Sequence, residues 1–171
     1  MEQATIDQLN AINQQFYQTT ATEFDRTRGR AWQGWLDLLP HLPQDQPDDP
    51  YDVLDVGCGN GRFGVFMAEN VGYPITYHGI DNNRTLLDLA LDAVADAPST
   101  TATVEYRDVV RHAPDSGLFD LVALFGVIHH IPGTEQRKTL MGALAERLKP
   151  TGILVFASWR FYEFDRFKDR I

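Results

Sequence analysis

The feature that most constrains this chain is a glycine-rich turn that follows an apolar run: Val53-Leu54-Asp55-Val56-Gly57-Cys58-Gly59-Asn60-Gly61. The apolar run is typical of a buried strand, and the residues after the last glycine are typical of a helix. Glycines at such a turn let the backbone adopt positive φ and come close to a ligand. Because ligands bind at the carboxyl ends of strands in open α/β sheets, the segment predicts a binding site at this turn.

Downstream of the turn, short apolar runs alternate with helical patterns. They predict strands at residues 51–57, 75–81, 103–107, 119–125 and 152–158, with helices at 62–70, 84–96 and 134–148. Apolar strands that alternate with helices form parallel sheets covered by those helices. The predicted fold class is therefore α/β, a Rossmann-like parallel sheet with helices on both faces.

The N-terminal part has a different pattern. Apolar residues recur at helical spacing in residues 4–19 and 30–39, which predicts two helices. Residues 40–50 are rich in proline and aspartate and cannot form a helix or a central strand. We therefore expect two units: a helical N-terminal cap over residues 1–44 and a main domain over residues 45–171.

Composition excludes several classes of protein. Cys58 is the only cysteine, so a disulfide framework is excluded, and with five scattered histidines we expect no metal site. No apolar stretch is long enough to cross a bilayer, and the polar start is unlike a signal peptide, so we expect a cytoplasmic protein with no membrane partner. The formal net charge of −9 weighs against broad affinity for nucleic acid.

The glycine spacing and the acid inside the strand discriminate between nucleotide ligands. A dinucleotide fingerprint requires its third glycine where this chain has Arg62, and Asp55 would repel a pyrophosphate. A strand carboxylate followed by G-x-G-x-G resembles motif I of the class I S-adenosylmethionine-dependent methyltransferases. A nicotinamide oxidoreductase and a purely structural glycine turn remain the alternatives.

The resemblance implies S-adenosylmethionine as the cofactor and a set of residues that bind it. The carboxylate of Asp81 would accept both ribose hydroxyls, although the same residue is also a candidate N-cap for the next helix. Asp108 would lie beside the adenine amino group, and the backbone at Gly126 would face the methionine part. The complete set is Asp55, Gly57, Cys58, Gly59, Gly61, Asp81, Asn82, Asp108, Val109, Phe125 and Gly126, joined by Tyr17 and Arg28 from the N-terminal segment.

The segment from Tyr17 to Trp32 resembles the N-terminal helix of the methyltransferases that esterify 5-carboxymethyluridine at the tRNA wobble position, and of their bacterial relatives. The resemblance implies that the segment covers the cofactor, with Arg28 paired to the methionine carboxylate and Tyr17 closing over the site. Its aromatic residues could instead be packed apolar anchors. Two departures, Gln33 in place of a proline and Ile131-Pro132 in place of an aromatic residue, weigh against RNA as the acceptor.

Two histidines that follow the fourth strand are the candidate catalytic residues. Methyl transfer mainly needs alignment and a good nucleophile, so a carboxylate acceptor requires no base, whereas a hydroxyl or amine benefits from one. His129 and His130 lie where such a base would act, although they could instead only hold the loop. The predicted function is methyl transfer to a small-molecule or tRNA acceptor. The alternative is a non-catalytic cofactor-binding or partner-activating subunit.

The last segment limits the size of the sheet. The class I fold normally has seven strands, and only residues 159–171 follow the fifth strand here. Apolar residues at helical spacing predict one amphipathic helix in that segment, which leaves strands six and seven missing. We therefore expect a truncated sheet whose fifth strand is an exposed edge, open to association with a partner.

Overall fold

The computed structural model describes residues 1–27, 31–159, 163 and 165. Its centre is a sheet of five strands: β1 (Tyr51–Val56), β2 (Ile75–Asp81), β3 (Thr100–Tyr106), β4 (Phe119–Phe125) and β5 (Leu148–Ala157). Their spatial order is β3-β2-β1-β4-β5, and every neighbouring pair is parallel. The predicted parallel α/β sheet of five strands is confirmed.

In the described part of the chain, four α-helices accompany the sheet: α1 (Gln3–Thr27), α2 (Arg62–Asn70), α3 (Arg84–Ala95) and α4 (Thr134–Ala145). The buried apolar side chains form two clusters. One cluster holds residues of α2 and α3, among them Phe63, Met67 and Val94, and the other holds Leu140 and Leu144 of α4. The prediction of helices on both faces is therefore confirmed.

The helix predicted over residues 30–39 is wrong. The described part of this segment forms two short 3₁₀ turns, Gln33–Trp35 and Leu39–His41. Gly34 is a weak helix former, and Pro40 has no amide hydrogen to continue a helix, so it lies at the start of the second turn. Of the residues whose apolar spacing predicted the helix, Trp35 is buried, whereas Trp32 and Leu36 are exposed. Leu38 and Leu42, which lie outside that pattern, anchor the segment in the core together with Trp35.

The two edge strands begin earlier than the sequence pattern indicates. β3 starts at Thr100, which pairs with Ile75 of β2. β5 starts at Leu148, which pairs with Phe119, and an irregularity in the register follows before regular pairing resumes further along β5. Thr151 in this irregular stretch has a φ of +69°, a conformation that apolar periodicity does not predict.

The outer edge of β5 has no strand beside it in the described ranges, as expected, and Phe156 of this strand is exposed. The helix predicted for residues 159–171 lies almost entirely outside the described residues. At the opposite ends of the strands, Lys149 Nζ donates to Asp52 Oδ2 at 2.6 Å and to Asp120 Oδ2 at 2.8 Å. This ion cluster ties β1, β4 and β5 together far from the carboxyl ends, where the candidate site lies.

Candidate functional site

The glycine turn after β1 is built on positive φ angles. Gly57, Gly59 and Gly61 have φ values of +71°, +55° and +76°. Residues other than glycine rarely adopt this conformation, because their Cβ atom clashes with the backbone. The turn is also closely packed: a Cβ on Gly57 would lie 2.2 Å from a methyl group of Val127, and one on Gly61 would lie 2.9 Å from Cα of Ala90. Glycine is therefore required here by conformation and by space.

A cavity of about 340 Å³ opens at the carboxyl ends of the strands, beside this turn. Parallel strands place all their carboxyl ends at one edge, so residues far apart in sequence meet there. Most of the predicted site residues line it: Tyr17, Gly57, Gly59, Asp81, Asn82, Asp108, Val109, Phe125, Gly126, His129 and His130. Arg28 lies outside the described residues.

Three predicted residues do not line the cavity: Asp55 lies in β1, and Cys58 and Gly61 belong to the turn itself. Asp55 is 2% exposed, and its Oδ2 accepts a hydrogen bond of 2.8 Å from the hydroxyl of Tyr77. Burial raises the pKa of the Asp55 carboxyl to about 7. Cys58 is buried as well, and burial raises the pKa of its thiol. Direct cofactor contact by any of the three residues stays a prediction.

Asp81 at the end of β2 holds the turn in place. Its Oδ2 accepts from the backbone N–H of Gly59 at 2.9 Å, and its Oδ1 accepts from the N–H of Asn83 at 2.9 Å. Burial raises the pKa of this carboxyl, and the backbone donors oppose that effect. The N-cap of α3 is Asn83, whose Oδ1 accepts a hydrogen bond from the N–H of Leu86. Asp81 is therefore not the N-cap of this helix, which was the alternative role considered for it.

Asp108, in the loop after β3, is bound by the N-terminal helix. Its Oδ1 accepts from the N–H of Val110 at 3.0 Å, which closes a tight turn. Its Oδ2 accepts from the side-chain amides of Asn10 at 2.7 Å and Gln14 at 2.9 Å. These amides lie on one face of α1, four residues apart. Neither Asn10 nor Gln14 was predicted as a site residue. The signal in the sequence is that amide side chains recur at helical spacing, which places them on one face of the helix.

Helix α1 makes further contacts with the loops around the cavity. Asn13 Nδ2 donates to the backbone carbonyl of His130 at 3.1 Å. Asn83 Nδ2 donates to the carbonyl of Tyr17 at 3.0 Å. The Tyr17 hydroxyl lies 2.8 Å from His130 Nε2. The helix is thus attached to the loops that follow β2, β3 and β4, and it forms one wall of the cavity. The predicted division of the chain at residue 44 stays a prediction.

The two histidines lie on a 3₁₀ turn, Ile128–His130, directly after β4. Burial and the neighbouring His130 lower the pKa of His129 to about 4, and burial also lowers the pKa of His130. Both imidazoles are therefore neutral at pH 7. A neutral imidazole can accept a proton, which is the chemistry of a general base, but a pKa of about 4 makes His129 a weak base.

A family profile described as "Methyltransferase domain" matches residues 53–152, more than half of the 171 residues. The chain belongs to this methyltransferase domain family. The matched range begins in β1 and ends in β5, so it contains the glycine turn, Asp81, Asp108 and both histidines. Helix α1 lies outside the matched range.

Curated relatives of the methyltransferase domain act on different acceptors. The chain is 25% identical over 133 residues to a malonyl-[acyl-carrier protein] O-methyltransferase of Halalkalibacterium halodurans, a match covering 75% of this chain and 47% of that protein. It is 26% identical over 149 residues to a tRNA (carboxymethyluridine(34)-5-O)-methyltransferase of Arabidopsis thaliana, covering 84% of this chain and 31% of that protein. The chain thus spans half or less of the length of these relatives.

Solved structures share the fold of this methyltransferase domain. The N-methyltransferase NodS from Bradyrhizobium japonicum, in complex with S-adenosyl-L-homocysteine, superposes with a TM-score of 0.55 at 22% identity. The match covers 69% of this chain and 57% of NodS. At this identity the likeness shows the fold alone.

Within the described ranges, no helix combines the length and apolar character needed to span a bilayer. The same residues contain no group of three or more histidine, cysteine, aspartate or glutamate side chains placed to hold a metal ion.

Proposed function

We propose that this domain is an S-adenosylmethionine-dependent methyltransferase that acts on a hydroxyl or amine of a small-molecule acceptor. The observation that carries the proposal is the meeting of the glycine turn, Asp81, Asp108 and two neutral imidazoles around one cavity. The family supports it, because the curated relatives are named as methyltransferases and NodS binds S-adenosyl-L-homocysteine.

The residues of the cavity fit this cofactor. Both oxygens of Asp81 accept hydrogen bonds from backbone N–H groups, and a carboxylate has about four lone-pair sites, so acceptor capacity remains for a ribose hydroxyl. Gly126 has a φ of +72°, and no atom lies within 4 Å of its Cβ position, so the backbone there leaves open space for the methionine part. The cavity volume of about 340 Å³ is within the usual range for small-molecule sites.

The cofactor and the residues of the chain would contribute different parts of the reaction. The cofactor supplies an activated methyl group whose leaving group is a neutral thioether. In our proposal, the imidazole pair of His129 and His130 accepts the proton that a hydroxyl or amine acceptor loses as its bond to the methyl carbon forms. Tyr17 positions His130 through the contact at 2.8 Å. The wall formed by α1 helps to align the reactants.

The remaining assignments are part of the same proposal. Asp55, Cys58 and Gly61 contribute by shaping the turn, and Arg28 pairs with the methionine carboxylate.

A tRNA acceptor is the second candidate, because the Arabidopsis tRNA methyltransferase aligns with 84% of this chain. The net charge of −9 favours the small molecule. We also propose association through the edge of β5, and a cytoplasmic location, which suits a buried free cysteine.

Calorimetry tests the cofactor assignment. We expect S-adenosylhomocysteine to bind with a dissociation constant in the micromolar range, about −8 kcal/mol. NAD is the control ligand, and tighter binding of NAD would overturn the proposal. Incubation with labelled S-adenosylmethionine and a cell extract, with and without ribonuclease and followed by filtration that retains macromolecules, then separates the acceptors: label lost from the retained fraction after ribonuclease treatment indicates tRNA, and label that passes the filter without ribonuclease indicates a small molecule. Cofactor binding with no label transferred in either arm indicates a non-catalytic subunit.

A further inference from the structure

Five aromatic side chains form an unbroken chain of ring contacts along the cavity, and we name this set the ring arc. It runs from Phe16 to Tyr17, His130, His129 and Trp159, with centroid separations of 5.3, 5.3, 4.2 and 5.9 Å in that order. The rings come from α1, from the turn after β4 and from the end of β5. All five line the same cavity.

The two ends of the ring arc are open to solvent. Phe16 is 58% exposed and Trp159 is 52% exposed, whereas the histidines and Tyr17 between them are partly buried. Large exposed aromatic surface next to a cavity with polar groups is typical of binding sites. The glycine turn, Asp81 and Asp108, to which we assign the cofactor, line the same cavity, so we assign the ring arc to a second molecule.

The charge around the ring arc indicates what that molecule carries. Both imidazoles are neutral at pH 7, because burial lowers their pKa values. Arg107 is the one arginine or lysine among the described lining residues, and its guanidinium is engaged by Glu105, Asp115 and the carbonyl of Ala113. No described cation on this wall is therefore placed to neutralise an anionic acceptor, which favours an uncharged one.

We propose that the ring arc is the acceptor-binding surface, and that the acceptor is a small molecule with a planar, uncharged aromatic ring that carries a hydroxyl group. The planar ring stacks on the arc at one of its exposed ends, on Phe16 or on Trp159. The hydroxyl donates a hydrogen bond toward the neutral imidazoles in the middle of the arc. This inference rests on the proposed methyltransferase function and adds the class of acceptor to it.

The test compares two alcohols of matched size on the full chain saturated with S-adenosylhomocysteine. The aromatic probe is 2-naphthol and the saturated probe is decahydro-2-naphthol, so the pair differs in planarity and in ring electrons. We expect 2-naphthol to bind about fivefold more tightly, the contribution of one or two ring contacts. Equal affinities would overturn the proposal. An RNA stem-loop with a uridine-rich loop is the third arm, and tighter binding of this RNA than of 2-naphthol would overturn it as well.

Substitutions locate the site. Phe16→Leu and Trp159→Leu keep an apolar side chain and remove a ring, and the variant that loses the stacked ring should bind 2-naphthol about fivefold more weakly. Unchanged affinity in both variants would contradict the assignment. Phe156→Leu is the matched control, because Phe156 is 55% exposed on β5 but does not line the cavity. A loss of affinity in the control equal to that in the two variants would contradict the assignment.

The affinity for S-adenosylhomocysteine, measured on every variant, separates the two proposals. If the wild-type chain fails to bind S-adenosylhomocysteine, the proposed function is wrong. If it binds S-adenosylhomocysteine and the preference for 2-naphthol is absent, only the acceptor class is wrong. Thermal unfolding of each variant shows whether a loss of binding reflects a loss of fold.

Discussion

The hydroxyl of Tyr17 lies 2.8 Å from Nε2 of His130, across 113 positions of sequence. Their rings also meet edge to face, with centroids 5.3 Å apart. One contact therefore fixes both the orientation of the imidazole and the position of α1 over the cavity. The hydrogen bond also determines which nitrogen of His130 is directed away from Tyr17, and so which nitrogen is available to an acceptor.

The first prediction concerns this contact. Tyr17→Phe removes the hydroxyl and keeps the ring, so His130 loses its positioning partner while the packing of α1 is preserved. We expect kcat to fall by about tenfold for a hydroxyl acceptor, with the KM for the cofactor unchanged. Steady-state kinetics on the variant and on Tyr106→Phe, an exposed tyrosine on β3, measure the effect. A fall in both variants, or in neither, would contradict a positioning role for Tyr17.

The second prediction concerns Asp81. Asp81→Ala removes the ribose acceptor and also releases the N–H groups of Gly59 and Asn83. We expect the affinity for S-adenosylhomocysteine to weaken by about 1–3 kcal/mol, measured by calorimetry. Asp88→Ala, which removes an exposed carboxylate from α3, should bind as the wild type does. Unchanged affinity in a folded Asp81→Ala protein would place the cofactor elsewhere.

The third prediction concerns the packing of the glycine turn. Gly61→Ala places a Cβ 2.9 Å from Cα of Ala90 at a φ of +76°, so it combines a clash with backbone strain. We expect the free energy of unfolding in urea to fall by about 2–4 kcal/mol. The matched control is Gly72→Ala, where no atom lies within 4 Å of the Cβ position. Equal stabilities of the two variants would show that the turn tolerates a side chain.

The fourth prediction concerns Asp55 and pH. The pKa of Asp55 is raised from 3.8 to about 7 in the folded chain, because the carboxyl is buried. Between these values the folded state binds more protons than the unfolded state, so the stability gained by protonation is complete below pH 4 and is lost as the pH rises to 7. We expect the ionisation of Asp55 to lower the free energy of unfolding by about 2–4 kcal/mol between pH 4 and pH 7.

The variant Asp55→Asn provides the comparison for this pH effect. The amide does not titrate, and its oxygen still accepts a hydrogen bond from the hydroxyl of Tyr77. All other titrating groups are common to both proteins, so the difference between their urea-unfolding curves from pH 4 to pH 7 isolates Asp55. A difference that does not change with pH would show that the buried carboxyl is already ionised at pH 4.

The sequence predicted the elements near the turn best. The bounds of α2, β2 and β4 agree with the predicted ranges, because glycines and polar caps mark their ends. The start of β5 was missed, because Leu148 pairs with Phe119 before the irregularity and its pattern is that of a helix end. Pairing across a sheet depends on a neighbour that is distant in sequence, and periodicity within one segment carries no information about it.

The residues of the candidate site could likewise be predicted only where their position did not depend on a partner that is distant in sequence. Residues at the carboxyl ends of strands could be predicted, since the topology brings all such ends together. The contact between Asn10 and Asp108 joins positions 98 apart, and neither residue type indicates the other. Asp55 shows the converse: its place in the motif is clear from sequence, but its partner, the hydroxyl of Tyr77, depends on the packing of β1 beside β2.

The way in which α1 is attached has a consequence for its dynamics. Among the residues of this helix whose side chains the structure describes, 3–20, only Ile6 and Asn10 are buried, and the contacts with the loops are polar. Exchanging such hydrogen bonds for water costs little net free energy, whereas α2 and α3 would have to expose core side chains. The amide protons of α1 should therefore exchange with deuterium through local opening, well below the free energy of global unfolding. We therefore expect detachment of this helix to speed the exchange of molecules between the cavity and solvent.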